Sequence, residues 1–173
     1  MINLLPINLL RFILLMTAQV LVFSNINFSP FINPYVYPLF LLLLPFETPR
    51  WLLMLLGFST GLLLDVFLGS LGMHAAACVL LGYMRPYLIN VITPKGTDFE
   101  VAPNIHLQGL GWFSIYIGIA VLVHHTFYFL IESGTFYNLF LSFIKIFLSS
   151  FFSVLFMLIF LLLFTPMKKR RLA

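Results

Sequence analysis

Few side chains in this sequence can do chemistry: five carboxylates, four histidines and one cysteine among 173 residues. Asp65 is the most exposed of them to physical argument, because it sits in the apolar stretch GFSTGLLLDVFLGSLGMHA, residues 57–75. A charge at the centre of a bilayer costs about 2.5–3.5 kcal/mol on insertion scales. Asp65 therefore needs a partner, or a position near the membrane surface. His74, His124, His125 and Lys145 lie in apolar runs of their own. Together with Asp65 they have the types needed for proton transfer, ion pairing or metal ligation.

The spacing of these groups argues against most such chemistry. No serine occupies a G-x-S-x-G elbow, and no H-E-x-x-H or phosphate-binding loop occurs. A metal needs convergent ligands, and neighbouring helical residues such as His124 and His125 point about 100° apart. Cys78 is the single cysteine, which excludes an intrachain disulfide and a cysteine-based metal site. Asp98 and Glu100 fall in the polar stretch 93–109 and read as a solvated surface rather than an acid/base pair. The sequence thus predicts no catalytic residue, no metal and no cofactor.

The elements that must position these residues are membrane helices. Hydrophobic residues make up 62% of the chain and charged residues 8%, with mean hydropathy +1.09. Soluble globular proteins average about 45–50% apolar and about 25% charged. The expected fold class is all-α: a polytopic membrane helical bundle forming one domain, 1–173. Runs near the roughly 20-residue spanning length predict six helices, at about 8–23, 33–46, 51–68, 73–92, 111–131 and 136–164. The second is short. It starts at Asn33-Pro34, a favourable cap followed by proline at the first helical position, and a five-helix count follows if it fails to span. Arg85-Pro86 predicts a kink in the fourth helix. The first run lacks a small-x-small cleavage site and reads as a retained helix.

Lysine and arginine placement sets the expected orientation. With both termini cytoplasmic, the inner side holds Arg50, Arg85, Lys95 and the tail Lys168, Lys169, Arg170 and Arg171, while the outer loops 24–32, 69–72 and 132–135 hold none. The tail reads as a topology anchor on anionic lipid, where each charge is worth about 1 kcal/mol. No other basic cluster exists, so nucleic acid is not an expected partner.

Gly57, Gly61 and Asp65 recur every four residues and share one face of the third helix. Small residues at this spacing let a second helix backbone approach closely, which is what drives packing in lipid. Ala75, Cys78 and Gly82 form a matching face on the fourth helix. The link 69–72, bounded by Gly69 and Gly72, is short enough to make the two helices antiparallel neighbours. Asp65 lies about one turn below the outer end. It can make a buried structural hydrogen bond, cap the loop amides, or dock a partner. His74 is its expected neighbour. His124, His125 and Lys145 lie at a similar depth, and a polar layer joining Asp65, His74, one of the histidine pair and Lys145 is expected. Lys145 has the alternative of snorkelling outward.

The pattern G57-x-x-x-G61-x-x-x-D65-x-x-x-G69-x-x-G72 resembles the signature of the MreD family, the rod shape-determining membrane proteins of bacteria. Asn33-Pro34, Pro45, Arg50, the chain size and the basic tail agree with that layout. The resemblance is specific from about 33 to 83. It implies a non-enzymatic component of the bacterial inner (cytoplasmic) membrane that maintains rod shape within the lateral peptidoglycan synthesis machinery. It further implies association with an MreC-like membrane-anchored periplasmic protein, and through it with the MreB filament, a RodA-type glycosyltransferase and a class B penicillin-binding protein. The family is also similar in fold to the substrate-binding subunits of energy-coupling-factor transporters. That likeness supplies the alternative, a small-molecule-binding subunit of a membrane transporter, which requires an outward cavity lined by groups such as Asp65, His74, His124 and Lys145.

Overall fold

A computed structural model describes residues 5–26, 29–94, 102–134 and 139–165. Lys95, Asp98, Glu100 and the Lys168–Arg171 tail fall outside them. Helix α1, Leu5–Ala18, continues as a π-helical turn, Gln19–Phe23. A four-residue helix α2, Leu39–Leu42, precedes α3, Arg50–Leu68, and α4, Met73–Ile92. Then come α5, Ile105–Ser133, and α6, Leu139–Phe164. Among the described residues five helices are long and apolar enough to cross a membrane. The molecule is a helical membrane bundle.

The helices α3 to α6 follow the sequence closely. Pro86 lies inside an α4 that runs unbroken as a helix from Met73 to Ile92. Helix α5 begins earlier than its apolar run, because Asn104 caps it by accepting the His106 amide, and it bends at Gly109, where φ is +85°. Its long arm then matches the predicted span.

The main departure is at 33–46. The sequence predicts a helix there, and only Leu39–Leu42 is helical. Residues 33–36 have no regular structure. Yet the segment still runs from one end of the bundle to the other. Asn33 and Pro34 lie beside Gln19 and Leu68, while Leu44 and Pro45 lie beside Leu5 and Pro49. The physical reason is length. A helix of this many residues rises only about 21 Å, short of a hydrocarbon core of about 30 Å, whereas extended backbone covers about 3.3 Å per residue.

Irregular backbone at membrane depth is stable only when protein surrounds it. That condition is met: every residue from Pro34 to Leu44 is buried, and Val36, Tyr37, Leu41 and Leu42 are wholly inaccessible. The core of the bundle is therefore built around this segment, irregular at 33–36 and helical only at Leu39–Leu42, rather than around a full-length helix. Leu53, Leu81, Phe113, Tyr116, Ile117 and Met157 complete it.

Candidate functional site

Two polar constructions occupy the interior. The first is the α3–α4 hairpin. A methyl group added at Gly57 would stand 2.6 Å from the carbonyl oxygen of Cys78, and one at Gly82 would stand 2.7 Å from that of Leu53. One at Gly61 would fall on the backbone of His74 and Ala75. The two helix backbones are thus in direct contact along the predicted small face. Gly69 and Gly72 do something else. A methyl group added at either would meet nothing within 4 Å, and their φ values are +69° and +86°. They close the turn through a backbone conformation that side chains disfavour, and take no part in helix packing.

Asp65 caps its neighbour. One carboxylate oxygen accepts the Ser70 hydroxyl at 2.6 Å and the His74 amide at 3.0 Å; the other accepts the Ala75 amide at 2.9 Å. These amides belong to the first turn of α4, where backbone donors lack helical partners and the helix dipole favours negative charge. The capping alternative is what the structure shows, though through His74 and Ala75 rather than the loop glycines. Asp65 bonds the main chain of His74, not its ring.

The second construction tethers the crossing. The Asn33 amide donates to Ser149 Oγ at 2.9 Å, and the Tyr35 amide to Ser153 Oγ at 2.8 Å. The Val36 amide donates to Gln19 Oε1 at 2.7 Å, and Gln19 Nε2 returns to the Pro34 carbonyl at 3.3 Å. Gln19 opens the π-helical turn of α1, which widens the helix where this side chain leaves it.

At the opposite end Arg85 is fully buried. It donates through Nη2 to the Leu44 carbonyl and, at 3.4 Å, to that of Leu42; through Nη1 it reaches Pro45 at 3.2 Å. Its Nε donates to the Tyr116 hydroxyl at 3.0 Å, which donates in turn to Leu42 at 3.1 Å. A cation beside the free carbonyls of a helix C-terminus is favourably placed. Arg85 is thus a strut for the crossing, and not one of the loop charges expected on the inner side.

The histidines meet at Tyr37. The Tyr37 hydroxyl lies 3.0 Å from His74 Nδ1 and 2.9 Å from His124 Nε2, and Cys78 donates to it at 3.4 Å. A phenol has one proton, so with both rings neutral it donates to one imidazole and accepts from the other. The other ring nitrogens, His74 Nε2 and His124 Nδ1, have no partner among the described residues. One then carries a proton and the other a lone pair.

His125 faces elsewhere. Its Nδ1 lies 3.0 Å from the Val121 carbonyl, which can only accept, so that nitrogen holds the proton. Its Nε2, 3.1 Å from Ser153 Oγ, then accepts the serine hydroxyl while the serine accepts Tyr35. The expected polar layer therefore divides into a His74–Tyr37–His124 cluster and a His125–Ser153–Tyr35 tether. Lys145 belongs to neither. Its ammonium pairs with Glu132 at 3.0 Å, with both side chains about a third exposed.

Comparisons of the chain with family models, curated proteins and solved structures return no match.

Sequence reasoning missed Gln19, Tyr35, Tyr37, Arg85, Tyr116 and Ser153 as a connected set. One available signal was Ser142, Ser149 and Ser153, spaced seven and four apart on a single face of α6. Three prolines, Pro34, Pro38 and Pro45, within the supposed second helix were another. No group of three or more His, Cys, Asp or Glu arranged to hold a metal occurs among the described residues.

Proposed function

We propose that the chain is a non-enzymatic membrane scaffold of the MreD kind, working in lateral peptidoglycan synthesis at the bacterial inner membrane. It crosses the membrane six times, counting the tethered segment, with both termini cytoplasmic. Its partner is an MreC-like membrane-anchored periplasmic protein, and through that partner it serves the MreB filament, the RodA-type glycosyltransferase and the class B penicillin-binding protein.

The observation that supports this reading best is the use made of the G57-x-x-x-G61-x-x-x-D65-x-x-x-G69-x-x-G72 pattern. Each of its five positions has a distinct physical duty in one hairpin: two close approaches, one cap and two turn conformations. Several interior polar groups are also consumed by the fold, although His74 Nε2, His124 Nδ1 and Ser150 Oγ have no partner among the described residues. Asp65, His125, Ser153 and Arg85 hold backbone rather than face a void.

The transporter-subunit alternative has less support. The cavity beside Gln19, Asn33 and Tyr35 at the outer end measures about 150 Å³, below the range of about 300–1,000 Å³ usual for ligand pockets. Depletion of the protein in its native cell tests the scaffold reading. Rods should round up and lateral wall incorporation should fall; unchanged shape alongside lost uptake of a small molecule favours the alternative.

A further inference from the structure

The docking role expected of Gly57, Gly61 and Asp65 has no free surface to act through, since all three are buried in the hairpin. The surface most open to a partner lies at the other end of α3. Helices α1 and α3 come together near Leu68 through the Gln19–Phe23 turn. At the Arg50 end they stand apart, and the slender crossing leaves a groove of about 570 Å³ between them, floored by Phe40 and Leu44.

We propose that this groove seats one transmembrane helix of a partner protein, carrying Lys or Arg where it leaves the membrane beside Glu47. Three observations support that occupant. The groove lies between α1 and α3 and is bounded by Phe40, Leu44 and Pro45 of the crossing segment. Its walls present helical seams: Leu5, Leu9 and Phe12 on α1, and Leu52, Leu56 and Ser59 on α3. Such spacing meets the ridges of another helix, and the small Ser59 permits close approach.

The third observation is charge. Glu47 stands exposed on the lip and has no ion-pair partner among the described residues. No Lys or Arg lines the groove among the described residues. Arg50 is turned to Tyr87 on α4, and Arg11, which lines a cavity on the other flank of α1, donates to the groove residue Asn8 at 3.4 Å. A lipid phosphate would meet an acid here. A membrane helix carries its Lys and Arg mainly at the cytoplasmic edge, which is the side the orientation above gives to Glu47. The proposal rests on that orientation and on the scaffold reading.

The test is copurification of the MreC-like partner with the tagged full chain from native membranes, using Leu9→Trp, Glu47→Lys and the lipid-facing control Phe147→Trp. Leu9, Glu47 and Phe147 are all exposed, so the fold should survive, and unchanged melting of each purified variant establishes that it has. Partner recovery should fall by about tenfold or more with Leu9→Trp and clearly with Glu47→Lys, and should hold with Phe147→Trp. A Lys→Glu or Arg→Glu change at the partner's membrane edge should restore binding to Glu47→Lys. Equal recovery from every variant overturns the groove while leaving the scaffold reading intact. So does a phospholipid that Leu9→Trp displaces while the partner stays bound. Wild-type chain that brings down no such partner overturns the scaffold reading itself, and the groove's occupant with it.

Discussion

The carboxylate of Asp65 near the end of α3 accepts the amide of Ala75 in the first turn of α4, at 2.9 Å and within the buried interior. An acid that sequence alone offers as a functional centre is thus bound into the helix hairpin. The same group accepts His74 and Ser70. Asp65→Ala would leave two buried amides without acceptors, at about 1–3 kcal/mol each. Asp65→Asn keeps one oxygen and should lose less. Melting of the purified variants in detergent checks the order: wild type, then Asn, then Ala.

Two glycines separate packing from mere composition. At Gly61 an added methyl meets the backbone of His74 and Ala75, which cannot give way as a flexible side chain can. Gly61→Ala should therefore lower the melting temperature or abolish folding. At Gly118 an added methyl would meet nothing within 4 Å, and Gly118→Ala should be neutral or stabilising by about 0.5–1 kcal/mol, from helix propensity. Similar losses at both sites would contradict the close-approach account.

The serines of α6 should differ as sharply. Ser153 accepts the Tyr35 amide and holds His125. Ser150 is buried with no hydrogen-bond partner for its hydroxyl among the described residues. Ser153→Ala should destabilise by about 1–3 kcal/mol, the cost of orphaning a buried donor. Ser150→Ala should cost nothing or help. Thermal unfolding of the two variants side by side reads this directly.

Arg85 should resist its conventional replacement. Its fork reaches three carbonyls and the Tyr116 hydroxyl at once, and a lysine ammonium cannot reproduce that planar geometry. Arg85→Lys should loosen the segment around Leu44. A cysteine placed at Leu44, buried in the native bundle, should react faster with a membrane-permeant thiol reagent in the Arg85→Lys background than in wild type.

Much of the hairpin was legible in the sequence because its logic is local. Glycines four apart mark a face, and a four-residue link forces the helices together. The crossing was not legible, because hydropathy counts apolar residues and ignores where backbone bonds go. The Leu-rich run after Pro38 satisfies a helix reading on its own. Besides its three prolines, what decides against a full helix is held elsewhere in the chain, in Gln19, Arg85, Tyr116, Ser149 and Ser153. His124 and His125 show the same limit. Their divergence on a helix was foreseeable, but Tyr37 as the meeting point depended on the unforeseen path of the crossing. Lys145 followed its simpler alternative and turned to the surface, where Glu132 waits.

The scaffold account is tested most directly by crosslinking the tagged chain in native membranes and identifying its partners by mass spectrometry. The account predicts recovery of a membrane-anchored periplasmic MreC-like protein with wall-synthesis enzymes. Recovery of a transport ATPase in their place would contradict it.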